Sequence, residues 1–259
     1  MFDLFSDIFA FRDHPWTRVD PRVKLVVALA AISCLLLSTR VPLPLLFLAV
    51  SLAGMAALRT PVRLVLLRLM IPLGMAAVLV VIQAFTVGQT ELFDFSIWGK
   101  SIPVLREGLL QGLFLASRVI AAVSILLLFS LVTPAHTVFS ALRWFRVPAG
   151  WVEIAMLMYR YTFALLDRAS DVAAAQKVRL GYSGLTRSVS SVGRLAGIVL
   201  IHSYDQANRT HEAMLLRGYR NFIPTAPLAA IPANELRYAV LACAAMGVLT
   251  LLLETRAVG

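Results

Sequence analysis

The sequence has little charge and little cysteine for its length. Charged residues make up 15% of the 259 residues and hydrophobic residues 59%, an apolar share well above that of an ordinary soluble domain. The two cysteines, Cys34 and Cys243, lie far apart in apolar runs, which argues against a disulfide framework or a Cys-x-x-Cys metal site. Residues 1–20 are acidic and aromatic, so we expect no cleaved signal peptide. This composition predicts a membrane protein.

The excess of basic residues gives a net charge of +10, which in a membrane protein indicates flanks that face the cytoplasm. A nucleic-acid surface would need aromatic side chains interleaved with basic ones, whereas the aromatics here are scattered through apolar runs. We therefore expect membrane lipid, and no nucleic acid, among the partners of this chain.

Five apolar runs are candidates for membrane spans, since a helix needs about 20 residues to cross the hydrocarbon core. They are residues 23–39, 41–58, 69–88, 108–132 and 238–253. Asp20 and Pro21 predict a helix start before the first run, because Asp caps free N–H groups and Pro suits the first helical position. Lys24 would snorkel to the interface. In the third run, Arg68, Pro72 and Gly74 allow a broken or tilted helix.

Basic residues set the orientation of a membrane protein. A loop with Arg59, Arg63 and Arg68 and a long basic arm are expected in the cytoplasm, and the acidic loop 89–107 outside. We expect an all-α, multi-pass membrane protein with about five membrane helices and a cytoplasmic N-terminus. The expected segments are 1–22 in the cytoplasm, 23–132 with four spans, 133–235 as the cytoplasmic arm and 236–259 with the final span.

The arm is predicted to contain two long amphipathic helices. Apolar residues recur at spacings of three, four and seven over 150–180, and Gly181 supplies a stop. A Ser/Gly-rich turn over 183–193 leads to a second helix over 195–217, which Gly218 ends. Both helices thus finish in an arginine, a glycine and a tyrosine. Helix capping explains one such ending, because a basic residue favours the negative end of the dipole. Two such helix endings on one arm indicate a pair of binding sites.

No residue pattern in the chain predicts catalysis or metal binding. Gly99-Lys100-Ser101 resembles the end of a phosphate-binding loop, but Asp94 stands where that loop needs its first glycine. The four histidines lack the spacing of metal ligands, and no cysteine or carboxylate completes a set. We therefore expect no nucleotide, metal or catalytic site in this chain.

Arg118 lies within the fourth apolar run, where a buried charge costs roughly 2.5–3.5 kcal/mol. One interpretation is a path for an ion or substrate. The other, which we favour, is a structural arginine that faces the bundle interior and bonds to Gln83 or to backbone carbonyls.

A series of short motifs spans residues 20–221. They are Asp20-Pro21-Arg22-Val23-Lys24-Leu25, Thr133-Pro134, Ala141-Leu142, Pro148, Tyr159-Arg160-Tyr161, Val178-Arg179-Leu180-Gly181 and Ala213-Met214-Leu215-Leu216-Arg217-Gly218-Tyr219. In kind and order they resemble the transmembrane T components of energy-coupling factor transporters, and the last is similar to the cobalt/nickel branch, CbiQ. One motif departs from the pattern: Val178 and Leu180 flank Arg179 where many T components have alanine and a small residue.

The resemblance implies a subunit that couples two ATP-binding-cassette ATPases, which bind ATP and Mg, to a substrate-capturing S component similar to CbiM. A small accessory membrane subunit would join them. The implied ATPase-coupling residues are Val178, Arg179, Gly181, Leu216, Arg217 and Gly218. The implied supporting residues are Asp20, Pro21, Lys24, Arg118, Pro134, Pro148 and Arg160. The chain itself would be non-catalytic and without a cofactor, and the complex would import cobalt or nickel across the bacterial inner membrane.

Three other functions stay open on the sequence. A T component of a vitamin-type importer would share the same motifs. A membrane-embedded enzyme would need paired carboxylates or a histidine cluster at the interface, yet Glu153, Asp167 and Asp171 are interleaved with Arg160 and Arg168. A self-sufficient carrier should show inverted repeats and polar residues at the membrane midplane. The odd number of candidate spans and the single buried arginine argue against it.

Overall fold

The computed structural model describes residues 16, 19–88, 90–97, 100–220 and 231–255, with 91–104, 254 and 255 described by their backbone alone. Within these ranges the chain forms eight helices and one β-hairpin, which confirms the all-α class. The elements are α1 Pro21–Leu37, α2 Pro42–Ala57, α3 Val62–Thr86, β1 Glu91–Ile97, β2 Lys100–Leu105, α4 Arg106–Val132, α5 Ala135–Trp144, α6 Ala149–Val178, α7 Leu185–Leu216 and α8 Ala233–Thr255.

The chain divides into two compact units. The first comprises Met1–Val138 and Ala230–Gly259, and the second comprises Phe139–Ala229. In the first unit, α3, α4 and residues Ala233–Leu253 of α8 are each long and apolar enough to cross a membrane, and α2 is a shorter apolar helix. The protein is therefore a multi-pass membrane protein. Helix α1, with 17 residues, is about 25 Å long at 1.5 Å per residue.

Helix α1 starts where the sequence predicts. An Asp20 carboxylate oxygen accepts a hydrogen bond from the backbone N–H of Arg22 at 2.9 Å, and Pro21 occupies the first helical position. The capping prediction is confirmed, because the Asp20 side chain satisfies one of the N–H groups that a helix start leaves free.

The core of the first unit lies between α1, α2 and α4. Its buried side chains are Ala31, Leu35, Leu43, Phe47, Ala121 and Ile125. Helices α3 and α4 approach more closely, because Gly108 and Gly112 lie against the α3 backbone; a Cβ at Gly108 would collide with the carbonyl oxygens of Gln83 and Val87. Small residues allow such close packing between membrane helices.

The prediction for the third span is wrong at its start. Helix α3 begins at Val62, after Pro61, so Arg63 and Arg68 lie in the helix and only Arg59 lies in the preceding turn. Pro72 lies inside α3 without ending it, since a proline removes one backbone N–H and its neighbours can continue the helix.

The predicted polar loop 89–107 contains an antiparallel hairpin, in which Glu91 faces Leu105 and Ile97 faces Lys100. Lys100 and Ser101 of the candidate phosphate loop are the first residues of β2. Gly99 lies outside the described residues, as do residues 1–15, 17 and 18 of the predicted N-terminal segment.

In the second unit, the prediction for the first arm helix is confirmed by α6, Ala149–Val178. The second helix begins ten residues earlier than expected, at Leu185, so the predicted Ser/Gly-rich turn over 183–193 is mostly helical. The serines do not break the helix because their groups are bonded: the Ser188 N–H donates to the Gly184 oxygen at 2.8 Å, and the Ser191 hydroxyl to the Gly181 oxygen at 2.9 Å.

Candidate functional site

Helix α6 ends in a Schellman motif, a turn in which two crossed hydrogen bonds satisfy the last carbonyls of a helix. The Leu180 N–H donates to the Lys177 oxygen at 3.1 Å, and the Gly181 N–H donates to the Gln176 oxygen at 2.9 Å. Leu180 has a φ of 55°, so it occupies the left-handed position of the motif. Arg179 is the C-cap, with φ −83° and ψ 17°.

Helix α7 ends in the same motif. The Gly218 N–H donates to the Leu215 oxygen and the Tyr219 N–H to the Met214 oxygen, both at 3.0 Å. Gly218 takes the left-handed position, with a φ of 80°. Arg217 is the C-cap, with φ −87° and ψ 7°, so the two arginines occupy equivalent backbone positions.

The two glycines, in contrast, have different structural roles. Gly218 supplies the positive φ, and a Cβ there would meet nothing within 4 Å. A Cβ at Gly181 would lie 2.7 Å from the Ser191 hydroxyl and 2.9 Å from the Gln176 oxygen. Gly181 is therefore needed for the close approach of α7, and the prediction that it supplies the helix stop is wrong: Leu180 does, despite its side chain.

Both arginines are exposed and flanked by exposed apolar side chains. Val178 is 85% exposed, Leu180 68% and Leu216 90%. In the part of the chain that the structure describes, neither guanidinium makes a hydrogen bond or ion pair. Each helix end thus presents an unpaired planar cation on an apolar surface, the combination that a groove on a partner protein would cover.

Helices α6 and α7 are joined at two places. Near the turn, Ser191 bonds to Gly181, and farther away the Tyr161 hydroxyl lies 2.9 Å from the Thr210 hydroxyl. The Arg160 guanidinium carbon lies 5.9 Å from the centre of the Tyr161 ring. Arg160, predicted as a supporting residue, therefore stacks beside the contact between the two helices.

A polar cluster joins the ends of three helices in the first unit. The Asp20 N–H donates to a Glu235 carboxylate oxygen at 2.8 Å, and the Lys24 ammonium donates to the Val132 carbonyl oxygen at 3.2 Å. The start of α1 is thereby tied to the start of α8 and the end of α4. The sequence did not predict a role for Glu235, which lies 215 residues from Asp20 and outside every motif.

Arg118 contacts the end of α1. Its Nη2 donates to the backbone oxygen of Ser38, the C-cap of α1, where the helix dipole is negative. The guanidinium carbon also lies 4.7 Å from the centre of the Phe114 ring. Of the two partners considered for Arg118, the structure shows a backbone carbonyl and not Gln83.

The two predicted prolines stand at helix starts. The Pro134 oxygen accepts from the N–H and the hydroxyl of Thr137, at 3.1 and 2.7 Å, at the beginning of α5. The Pro148 oxygen accepts from the Trp151 N–H at 3.1 Å, at the beginning of α6. Both residues define where the chain turns between helices.

The described residues hold no group of three His, Cys, Asp or Glu side chains that could bind a metal ion. A groove of about 370 Å³ in the first unit is lined almost entirely by apolar side chains, among them Val27, Phe47 and Phe129. The two arginine-ended helices are therefore the strongest candidate for a functional site in the part of the chain described.

Comparison with known proteins shows the family of the chain. Residues 13–226 match the CbiQ family, described as a cobalt transport protein. The chain is 31% identical over 202 residues to an uncharacterised protein of Methanocaldococcus jannaschii, covering 78% of this chain and 75% of that protein. It is 29% identical over 208 residues to a putative fused cobalt transport protein CbiMQ of Methanocorpusculum labreanum, covering 79% of this chain and 35% of that protein.

The chain is also 26% identical over 215 residues to the energy-coupling factor transporter transmembrane protein EcfT of Lactococcus lactis, covering 78% of this chain and 79% of that protein. The apolar helices and these relatives define a multi-pass membrane component of a transport system. The chain belongs to the CbiQ family, the T components of energy-coupling factor transporters.

Proposed function

We propose that this chain is the non-catalytic coupling subunit of an energy-coupling factor importer, in which Arg179 and Arg217 each dock one of two ATPase subunits. The observation that carries the proposal is the pair of equivalent C-cap arginines, both exposed, both unpaired within the described residues and both flanked by exposed apolar side chains.

The geometry suits a coupling role. An arginine fork can form several charge-assisted hydrogen bonds in an acidic or carbonyl-lined groove, while Val178 and Leu216 supply apolar area at its sides. Because α6 and α7 are bonded to each other at Ser191 and at Tyr161, a movement of one arginine tip would be passed to the other helix. Two ATPases that close together would therefore act on one connected pair of helices.

The second partner in the proposal is a substrate-capturing membrane subunit similar to CbiM, with a small accessory membrane subunit. The fused CbiMQ relative supports this, since its name joins the two components in one chain. Cobalt, or nickel, is the proposed substrate because the family is described as a cobalt transport protein. The likeness to EcfT keeps a vitamin-type importer as the alternative.

In the proposal, ATP and Mg bind to the ATPases, and this chain carries no cofactor. The protein lies in the inner membrane with the N-terminus and the second unit in the cytoplasm, as the basic residues favour. The Asp20–Glu235 and Lys24–Val132 contacts hold helix ends together in the first unit, and the Arg118–Ser38 contact has a structural role.

Purification of a tagged chain from its own cells in mild detergent tests this assembly. We expect two ATPase polypeptides and a CbiM-like subunit to copurify, with ATPase activity in the eluate and cobalt or nickel released on denaturation. The Arg179→Ala/Arg217→Ala chain, expressed at the same level, is the matched control and should lose the ATPases. Purification of a stable chain without any ATPase would contradict the proposal.

A further inference from the structure

The turn between α5 and α6 carries a compact aromatic and basic surface. Trp144 is 49% exposed, Phe145 40% and Trp151 72%, and Arg146 is exposed between them. The Trp144 and Phe145 rings meet edge to face, with centroids 5.0 Å apart. We call these four residues the aromatic turn. Exposed rings grouped around a basic side chain indicate a contact surface.

The backbone of the aromatic turn is hydrogen-bonded to the end of α5. The Arg146 N–H donates to the Arg143 oxygen at 3.2 Å and the Val147 N–H to the Leu142 oxygen at 3.4 Å, which is again a Schellman motif. Arg146 takes its left-handed position, with a φ of 63°. A residue with a Cβ is strained there, and such strain is tolerated at positions that serve a function.

Chain length limits how far the aromatic turn can lie from the end of α4. Helix α4, a candidate membrane span, ends at Val132, and the ten-residue α5 begins at Ala135. At 1.5 Å per residue, α5 extends the chain by only about 15 Å. Trp144 is therefore within reach of the headgroup region, where tryptophan is enriched because its ring is apolar and its N–H is polar.

The charge of this stretch has one sign. Between Glu107 and Glu153 the sequence contains no acidic residue, and after α4 it carries His136, Arg143 and Arg146. Anionic lipids at the cytoplasmic surface attract such basic segments. The position of this segment, directly after a candidate membrane span, favours lipid over a protein groove as its partner.

We propose that the aromatic turn binds the headgroup region of anionic lipids in the leaflet at the C-terminal end of α4, the cytoplasmic leaflet in the orientation proposed above. Trp144 and Phe145 enter the boundary between headgroups and acyl chains, and Arg146 contacts a lipid phosphate. The second unit is thereby anchored to the membrane surface at its first turn. This anchor goes beyond the proposed ATPase docking and does not depend on it.

Fluorescence of the full chain in lipid nanodiscs tests the anchor. Trp16, Trp98 and Trp151 are changed to Phe so that Trp144 is the single emitter, and the nanodiscs contain either brominated phosphatidylglycerol or brominated phosphatidylcholine at the same mole fraction. We expect phosphatidylglycerol to be enriched around Trp144 by about fivefold, the factor that one arginine gives near an anionic surface.

Charge-removal variants in this single-tryptophan chain separate the anchor from general adhesion. Arg146→Asn, which keeps a residue that tolerates the left-handed conformation, should lower the phosphatidylglycerol preference by about the same fivefold factor. Arg187→Asn removes another exposed arginine of the second unit and should leave the preference unchanged.

Two results would overturn the anchor. In one, aqueous acrylamide quenches Trp144 as efficiently as free N-acetyltryptophanamide, and brominated lipid has no effect. In the other, Trp144 becomes shielded only when ATPase subunits are added, which would assign the aromatic turn to a protein partner. Should the triple Phe variant fail to fold, a spin label at Gly150→Cys in a cysteine-free chain reports the depth of the same turn by power saturation, because an added Cβ at Gly150 meets nothing within 4 Å.

Discussion

Arg179 and Arg217 occupy the same position, the C-cap, of two Schellman motifs, although the glycines beside them are offset by one residue. In the first motif Leu180 has the left-handed conformation and in the second Gly218 has it. The arginines, and not the glycines, are therefore the structurally equivalent residues. If the two ends served only to terminate helices, a glycine at the same position of both motifs would be sufficient.

Gly218→Ala should destabilise the second unit by about 1 kcal/mol, because a residue with a Cβ must adopt a φ of 80°. There is room for the methyl group, so the cost is that of the backbone alone. Gly218→Asn should cost less, since asparagine tolerates this conformation. Thermal unfolding of the purified chain measures the three forms; equal midpoints would contradict the assigned conformation.

Gly181→Ala should be more damaging than Gly218→Ala. The added Cβ meets the Ser191 hydroxyl and the Gln176 backbone oxygen at 2.7 and 2.9 Å, and the second of these cannot move without opening the helix end. Adding Ser191→Ala should restore only part of the lost unfolding free energy. Full restoration would show that the backbone oxygen is not a real obstacle.

Local roles could be predicted from the sequence, whereas roles that depend on a distant residue could not. Asp20 could be recognised as a helix cap because its partner, the Arg22 N–H, is two residues away. The role of Gly181 depends on Ser191, ten residues on, in a stretch whose serines and glycines favoured a turn. The helical start of α7 was missed for the same reason, since composition does not show that those serines are bonded.

Local sequence patterns did not predict the contacts between residues far apart in the chain. The sequence indicated that Arg118 needs a partner, but Ser38 lies 80 residues away and offers a backbone oxygen, which any residue could supply. Glu235 appeared to be an ordinary acidic residue before the last apolar run. Only the packing of α8 mainly against α1 brings it to Asp20.

Glu235→Ala should loosen α8, because the Asp20 N–H loses its acceptor and α8 packs mainly against α1. The expected loss is about 1–3 kcal/mol, the cost of leaving a partly buried donor unpaired. Glu235→Gln keeps an oxygen acceptor and should lose much less. The measurement is the unfolding midpoint in detergent, compared at equal protein concentration. If the contact contributes nothing to stability, both variants would unfold at the same midpoint as the parent chain.

Arg118→Leu should reduce folding and assembly of the chain, since the guanidinium that bonds to the end of α1 is removed. Arg118→Lys keeps a charge near the negative helix end and should recover part of the yield. The yield of monodisperse complex is the measurement. Normal assembly of Arg118→Leu combined with a selective loss of transport would instead favour a role in the substrate path.

The orientation predicts that residue 183 faces the cytoplasm. Ser183→Cys in a chain without Cys34 and Cys243 should react with a membrane-impermeant maleimide only after the cells are opened. A cysteine at position 98, between β1 and β2 in the sequence, is the matched control and should react in intact cells. Labelling of position 183 in intact cells would contradict the proposed topology.

The most direct test of the coupling role is ATPase retention and substrate uptake in Arg179 and Arg217 variants. Each Ala change removes charge-assisted hydrogen bonds worth about 2–5 kcal/mol if a partner charge is left unpaired, so each should cut uptake severely, and the double change should release the ATPases. Lys should restore only part, because it lacks the planar fork. Arg194→Ala, an exposed arginine within α7, should behave as the parent chain.

Helix capping alone predicts the opposite pattern for the same variants. The Ala changes would then cost only about 0.3–1 kcal/mol, and Lys would substitute fully. If Arg179→Ala and Arg217→Ala both keep the ATPases and import at the parent rate, the coupling role of the two arginines is wrong. ATPase docking by both arginines predicts loss of uptake in each single variant. It also predicts that the ATPases are released only in the double variant, or most strongly there.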